Sequence, residues 1–579
     1  MARESHGIAP KKLNISRIKG EGAFLQPSCS ALKVFTNTEK LGSVSDMNDH
    51  REAPVVPVAI IGAGPVGLSL ALGLAHHGVR SVLLERKLTT SQRSKAPALH
   101  VRTREILRQW GVEPTMRESG TLLEKMPVYS AAGRRLLEFD FTRLAEEAER
   151  PGILFLEQGQ TERILLEALQ ATGYCDVRFG AEVTSVDPGT DTTTITFDDD
   201  GLGRMVKARF TVGCDGAGSM VRTALGLSFD GATLPVKATL ADVRVDDERD
   251  TLPWPRNHNG ARGITAAQRL APGHWRLVRV EKATGASGRA QGQKEVTDGE
   301  VDGWVREVLG PGSAPVIWAS RFQFQRRSSP RYRVGRVLLA GDAAHVFPPV
   351  MGQGMNAGIQ DAHNLAWKLW AALDGGDVES LLASYDEERR HAVGVVSKYV
   401  ERRARVGVQA PRAVRSAALM MMRIAMALPV ARKRGLRSLA MIDRSYRASP
   451  LLNPADRAAG RRLPDPELHR GEGGPLRLHD MLPAGAVLVR FGGQEPLSGQ
   501  AGRIAKEAKT MGLPVLHVGP GGYRDRSGSL RALLGASQGW ILVRPDRHVA
   551  WARTTSDGLA AAIRRALGLS PKLRHEPHV

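Results

Sequence analysis

Residues 58–85 read VAIIGAGPVGLSLALGLAHHGVRSVLLE: a short apolar run, a glycine turn, an apolar helix, and a second apolar run ending in an acid. No other stretch restricts the fold as much. GAGPVG at 62–67 is a GxGxxG placed between strand and helix. Gly62 permits the tight turn, Gly64 lets backbone approach a pyrophosphate, and Gly67 allows close contact between helix and strand. The helix after the turn aims its first N–H groups at that pyrophosphate. Glu85 stands eighteen residues beyond Gly67, at the end of the second strand, where a carboxylate can accept from ribose hydroxyls. No second GxGxxG follows a strand elsewhere, so one dinucleotide-binding domain is expected.

Residues 55–79 carry no Asp, Glu, Lys or Arg, a length that would suit a membrane span. Five glycines and Pro57 and Pro65 fit a strand, a turn and a buried helix better, and no membrane span is expected. With 579 residues the chain should hold two to four domains. Its net charge of +21 raises nucleic-acid binding. Arg outnumbers Lys more than threefold along the whole chain, and no zinc-finger spacing or aromatic-basic motif accompanies the charge, so no nucleic-acid partner is expected. The one concentration, twelve Arg and Lys within residues 401–447, reads as amphipathic helices with a solvated charged face. Three cysteines without a CxxC argue against disulfides and structural zinc, and for a reducing, cytoplasmic compartment. Residues 1–53 are polar, lack a signal-peptide core and read as a flexible extension.

Two further strand-turn motifs follow. FTVGCDGAGS at 210–219 runs from a strand into a glycine turn, with Arg222 one helical turn on. RVLLAGDAAH at 336–345 ends in Gly341-Asp342, followed by Pro348-Pro349, a GQGMNAG loop at 352–358 and a helix. A strand, an acid, a glycine loop and a helix N-terminus make a second site for a polar ligand.

Together these blocks resemble the para-hydroxybenzoate hydroxylase-type family of FAD-dependent aromatic monooxygenases. The match is to the branch of phenol, hydroxyphenylpropionate and polyketide hydroxylases with an extra C-terminal domain. GAGPVG…LLER, CDGAGS..R and GDAAHVFPPVMGQGMNAGIQDAHNLAWKL stand in the family's order, the last being the most specific. The resemblance implies an α/β chain: a Rossmann-like FAD-binding domain, an inserted antiparallel β-sheet substrate domain and a C-terminal thioredoxin-like α/β domain. The boundaries read are 54–230 and 331–455 for the FAD-binding parts, 231–330 for the substrate sheet and 456–579 for the last domain. That last domain has no cysteine, which excludes disulfide exchange and leaves packing or association, a homodimer included.

The resemblance also assigns roles. Gly62, Gly64, Gly67 and Glu85 would hold the ADP half of FAD, and Lys95 and Arg102 would place cations near the diphosphate and flavin. Lys95 stands where arginine is usual, a point charge in place of a fork. Gln158 would contact FAD, with Gln160 leaving the register open, and Asp342 would meet the ribityl chain or diphosphate. Gly354, Met355 and Asn356 would meet the isoalloxazine from the helix start. Asp215 would lie near FAD and nicotinamide, with a structural role of equal weight. The Pro349 carbonyl would face substrate. Met351 replaces a small residue in that turn, and His345 reads as structural. NADPH or NADH would reduce FAD, and O2 would give the flavin hydroperoxide that hydroxylates an electron-rich ring. Epoxidation, oxidative decarboxylation, ring cleavage or a non-catalytic FAD-binding role on the same fold are the alternatives. Trp254, Phe322 and Phe324 are candidate pocket aromatics, with core packing the competing role.

Overall fold

The computed structural model describes residues 55–91, 96–129, 134–259, 263–283, 296–311, 314–348, 352–404, 406, 410–471, 474–493 and 499–568. The strand Val55–Ile61 lies inside an eight-stranded sheet, pairing in parallel with Ser81–Glu85 on one side and Leu202–Gly213 on the other. Cys175–Phe179 and Val337–Leu339 extend the parallel part outwards, and the antiparallel strands Arg333–Val334, Ala181–Pro188 and Thr193–Asp199 complete the sheet. Val58, Ala59 and Ile60 are fully buried, as expected for a parallel strand covered on both faces.

The uncharged stretch after the first strand forms the helix Pro65–His76. It packs against the helices Gln158–Thr172 and Gln353–Leu373. A helix apolar all round is stable in water only when surrounded in this way. Gly73 marks the closeness, since a Cβ there would lie 2.9 Å from the Trp110 ring and 3.0 Å from Ala366.

Residues 230–346 supply a six-stranded antiparallel sheet in the order Arg256–Asn259, Gly263–Ala271, His274–Lys282, Asp230–Arg244, Val316–Ser328, His345–Val346. The helix Asp298–Leu309, started by a Thr297/Glu300 capping box, buries Val301, Val305 and Val308 with Ala241, Val243 and Trp275 of that sheet. Residues 284–295 lie outside the described residues, as does the extension 1–53. Near the end of the chain, Val515–Val518, Val487–Phe491, Gly539–Val543 and Val549–Arg553 form a four-stranded sheet in that order. The first pair is parallel and the rest antiparallel, as in a thioredoxin-like core.

The basic segment departs from the amphipathic expectation. It forms the helices Arg412–Ala427 and Pro429–Leu439. Leu436 and Leu439 pack with Phe141 and Leu144, as the expectation requires. The outward side, however, exposes Met421, Ile424, Leu428 and Val430 beside the arginines. Among the described residues no single helix is long and apolar enough to cross a membrane; these two pass that test only as a pair bent by 108°.

Candidate active site

Three parallel strands deliver three turns to one edge of the large sheet. Gly62 N donates to Leu84 O (2.8 Å), Cys214 N to Ile61 O (2.7 Å), and Ala340 N to Gly213 O (2.9 Å), so the turns at 62–67, 214–219 and 341–344 are laced together. Gly62 has φ +105, and a Cβ there would lie 2.6 Å from Cys214 O. A Cβ on Gly67 would lie 1.9 Å from Gly62 O, whereas one on Gly64 meets nothing within 4 Å. The turn is closed by two glycines and open at the middle one. Val66 fixes the third motif against the first: Cβ atoms on Gly341 or Gly358 would meet its Cγ2 at 2.8 and 2.5 Å. Asp342, exposed, therefore stands beside the glycine turn.

Glu85 closes the other side, with one carboxylate oxygen accepting from Ala63 N (2.8 Å) and the other from Lys87 N (3.0 Å). Asp215 accepts from Val221 N (3.1 Å), the capping contact that its structural reading requires, and its other oxygen is buried without a hydrogen bond among the described residues. Arg222 ties the second and third turns together through Ala217 O and Ala343 O.

The helix Gln353–Leu373 begins after Gly352 (φ +68) without a side-chain cap, leaving its first-turn N–H groups, those of Gly354, Met355 and Asn356 among them, free of intrahelical partners. The Asn356 side chain accepts from His100 N (2.8 Å) and donates to Ala98 O and Gly352 O (both 2.7 Å), stapling residues 98–100 to the helix start. Sequence reading assigned its backbone and missed this staple. It also passed over Gln353, which is fully buried with neither amide atom hydrogen-bonded among the described residues. A buried, unsatisfied amide at a helix N-terminus needs a partner. Its only sequence signal was its place as the first helical residue.

Gln158 opens its helix and donates to Glu162 (2.8 Å), which accepts from Ser91 N (2.8 Å); Gln158 thus sits beside the segment that leads to Lys95. Lys95, Pro349 and Met351 lie outside the described residues. Arg102 departs from expectation. Its guanidinium is buried against Glu105 (3.0 Å) and Asp546 O (2.8 Å), turned towards the C-terminal domain. Burial beside an acid on its own helix decides its rotamer, which motif spacing does not encode.

His345 has the structural role expected of it. Its Nε2 lies 2.6 Å from Asp361, which also binds Arg389 (2.6 Å) and Gly341 N (3.0 Å). Burial works to raise the Asp361 pKa, but His345 and Arg389 hold it below the usual carboxylate range. Trp254 meets Phe155 edge-on at 5.5 Å, and Phe322 stacks on Phe324 at 6.2 Å, Phe324 being core.

A second link joins the antiparallel sheet to this site. His274 Nδ1 lies 2.8 Å from Glu157, the residue before Gln158, and Nε2 lies 3.8 Å from Asp242. The carboxylates of Asp242 and Glu157 facing the ring favour its protonated form and raise the His274 pKa to about 9, against its partial burial. Its folded pKa exceeds the ordinary 6.5, so its contribution to stability is full below pH 6.5 and lost as pH rises through about 9. The melting temperatures of wild type and His274→Ala are therefore expected to differ most near pH 6 and to converge between pH 6.5 and 9, as thermal unfolding across that range would show. A constant difference would refute the linkage.

The three laced turns, the uncapped helix and its unsatisfied glutamine define a class: a Rossmann-type dinucleotide-binding site. Family models match on both sides of the chain, an FAD binding domain over residues 55–400 and an aromatic-ring hydroxylase C-terminal domain over residues 456–570. An uncharacterized aromatic compound monooxygenase of Bacillus subtilis is 34% identical, the alignment covering 85% of this chain and 93% of that one. The structure of an anhydrotetracycline hydroxylase of Streptomyces rimosus superposes with a TM-score of 0.73 at 31% identity, covering 89% of this chain and 99% of that one. A dialkyldecalin synthase of Streptomyces rugosporus is 31% identical over 88% of this chain and 98% of its own. The chain belongs to the FAD-dependent aromatic-ring monooxygenase family. It is an oxidoreductase whose cofactor is FAD.

Proposed function

We propose that this enzyme acts in the cytoplasm, using NAD(P)H and O2 to hydroxylate a phenolic or polyketide-type aromatic ring. The observation that carries the reading is the open Gly64 position in a turn whose Val66 packs on Gly358 of the helix Gln353–Leu373, together with that helix's uncapped start, where Gln353 is buried and unsatisfied among the described residues. The residues fit FAD. Gly62, Gly64 and Gly67 would let the pyrophosphate approach backbone, Glu85 would accept from ribose, and Asp342 would meet the ribityl chain or diphosphate. Gln353 and the first-turn N–H groups of Gly354, Met355 and Asn356 would face the ring, where a helix N-terminus favours the negative charge of the reduced form. The Arg102 guanidinium is held by Glu105 and the Asp546 carbonyl instead. When bound, FAD supplies the two-electron and oxygen chemistry; the chain's task is to orient the substrate and exclude water. The antiparallel sheet covers that space in this reading, with Trp254 and Phe322 as candidate ring contacts.

The test is a visible spectrum of the purified protein, followed by aerobic NADPH and NADH oxidation with a panel of phenols and polyketide aromatics. Oxidised-flavin bands, and reductant consumption accelerated by one aromatic that gains a single oxygen, are expected. A protein colourless after added FAD would overturn the reading. Substrate conversion without reductant consumption would point instead to ring-forming chemistry of the kind named for the Streptomyces rugosporus relative.

A further inference from the structure

A cavity of about 840 Å³ opens between the antiparallel sheet and the helix Val378–Ala404, and the residues lining it include none of those assigned above to FAD. Its wall carries five basic side chains, Arg326, Arg327, Arg390, His391 and Lys398, against two acids, Asp230 and Glu387. Much of that basic character is unspent. Lys398 and His391 have no hydrogen-bond or ionic partner among the described residues. Arg327 makes one side-chain hydrogen bond, to Phe229 O at 3.3 Å. Arg326 Nε is buried without a hydrogen bond, 3.5 Å from Glu401. Arg390 pairs with Asp386 at 3.3 Å but remains exposed, so the basic groups of this wall outnumber its acids, and that excess concentrates anions.

Its position ties it to the chemistry. Arg327 pairs with Val346 and Ser328 with His345, so the strand forming the wall lies against the segment running from Asp342 towards Pro348. Phe347, in the same wall, stacks on His345 at 5.7 Å. Arg222, which holds the second and third turns together, lies over the Phe229 ring that precedes the cavity's Asp230. The chain has a single GxGxxG strand–turn–helix unit, so a second nucleotide must be held by side chains rather than by another such turn.

We propose that this cavity binds the phosphates of the pyridine dinucleotide, Lys398 and Arg390 drawing in its diphosphate. This rests on the monooxygenase reading. The aromatic substrate has no need of a cationic wall, whereas NADH and NADPH are both polyanions and share the diphosphate.

The experiment uses the FAD-loaded enzyme and the variant Lys398→Glu/Arg390→Gln, with Lys398→Gln as a milder second variant. Calorimetry at low salt measures binding of NADP+, NAD+ and, as a non-nucleotide control, sodium pyrophosphate. Anaerobic reduction by NADPH and by dithionite is followed in parallel. In the double variant Kd for NADP+ and NAD+ is expected to rise roughly tenfold or more, with salt weakening wild type more steeply. FAD content and dithionite reduction stay at wild-type level. A larger effect on NADP+ than on NAD+ would place the 2′-phosphate here too. Dinucleotide Kd values within about twofold of wild type, in a variant that holds FAD and is reduced by NADPH, overturn this site alone. Pyrophosphate binding as tightly as NADP+ overturns it as well, leaving a general anion site. Wild-type enzyme that holds FAD but neither binds nor is reduced by either nucleotide overturns the monooxygenase reading together with this one.

Discussion

Replacing Arg544 by alanine is expected to cost about 3–5 kcal/mol of folding stability, the range for a buried ion pair deprived of one partner. Arg544 is fully buried. It donates to both oxygens of Glu388 (2.6 and 2.9 Å) and both of Asp546 (3.1 and 2.5 Å). Lys368 adds a fourth charge, 2.9 Å from Glu388, and Asn364 donates to Glu388 at 2.7 Å. Lys368 and Asn364 lie on the helix Gln353–Leu373, Glu388 on the next helix, and Arg544 and Asp546 in the C-terminal domain. The network thus fastens that domain to the far side of the helix whose N-terminus forms the candidate flavin site. Burial alone would raise the Glu388 pKa, but Arg544 and Lys368 bring it down to about 2. A carboxylate with a depressed folded pKa contributes stability above its ordinary pKa, and that contribution is lost as pH falls through the folded value. The deficit of Arg544→Ala is therefore largest near neutrality and shrinks below about pH 4. Denaturant unfolding followed by tryptophan fluorescence would measure it, and flavin release should accompany the same transition. Arg544→Ala/Glu388→Ala should cost less than the sum of the two single changes, because each single change strands a buried charge. Strict additivity, or a single-variant loss below about 1 kcal/mol, would remove the network from the account of how the domains are joined.

That network also marks where sequence reading ended. Backbone requirements of short range were legible: the turn of Gly62, the close approach at Gly67, the strand-end acid at Glu85 and the glycine loop before the helix Gln353–Leu373. Each is a demand made by residues on neighbours a few positions away. Side-chain partners hundreds of residues distant carry no periodicity. Arg544 and Asp546 follow the strand Gly539–Val543, and nothing local ties them to Glu388. Arg102 illustrates the reverse error. Its motif placed the backbone, but Glu105 and the Asp546 carbonyl placed the guanidinium. Gln353 was hidden for a third reason, since an amide becomes informative only when burial removes water and no protein group replaces it. The basic segment misled through composition: charge counts predict a solvated face, and the apolar residues exposed between the arginines appear only once the helices are packed.

Gly64→Ala and Gly67→Ala should both abolish tight FAD binding while moving the stability of the apoprotein in opposite directions. Gly64 has φ −73 and ψ −179, a backbone open to any residue, and its added Cβ meets nothing within 4 Å. With less conformational freedom lost on folding, the Gly64→Ala apoprotein is expected to be more stable by about 0.4–1 kcal/mol. Its methyl group occupies the space through which a pyrophosphate reaches the helix N–H groups, so FAD affinity should fall by roughly 10–100-fold, the effect of about 1–3 kcal/mol of overpacking. In Gly67→Ala the new Cβ lies 1.9 Å from Gly62 O and 3.4 Å from Cys214 Cβ. The obstacle is backbone rather than the end of a flexible side chain, so the laced turns must separate. The apoprotein itself should lose about 3 kcal/mol or more. Thermal melts of the apoproteins and FAD titrations by flavin fluorescence quenching separate the two cases. Wild-type FAD affinity in Gly64→Ala would show that the pyrophosphate does not approach backbone at this turn. Unimpaired stability in Gly67→Ala would mean that the helix Pro65–His76 meets its strand less closely than the 1.9 Å approach requires.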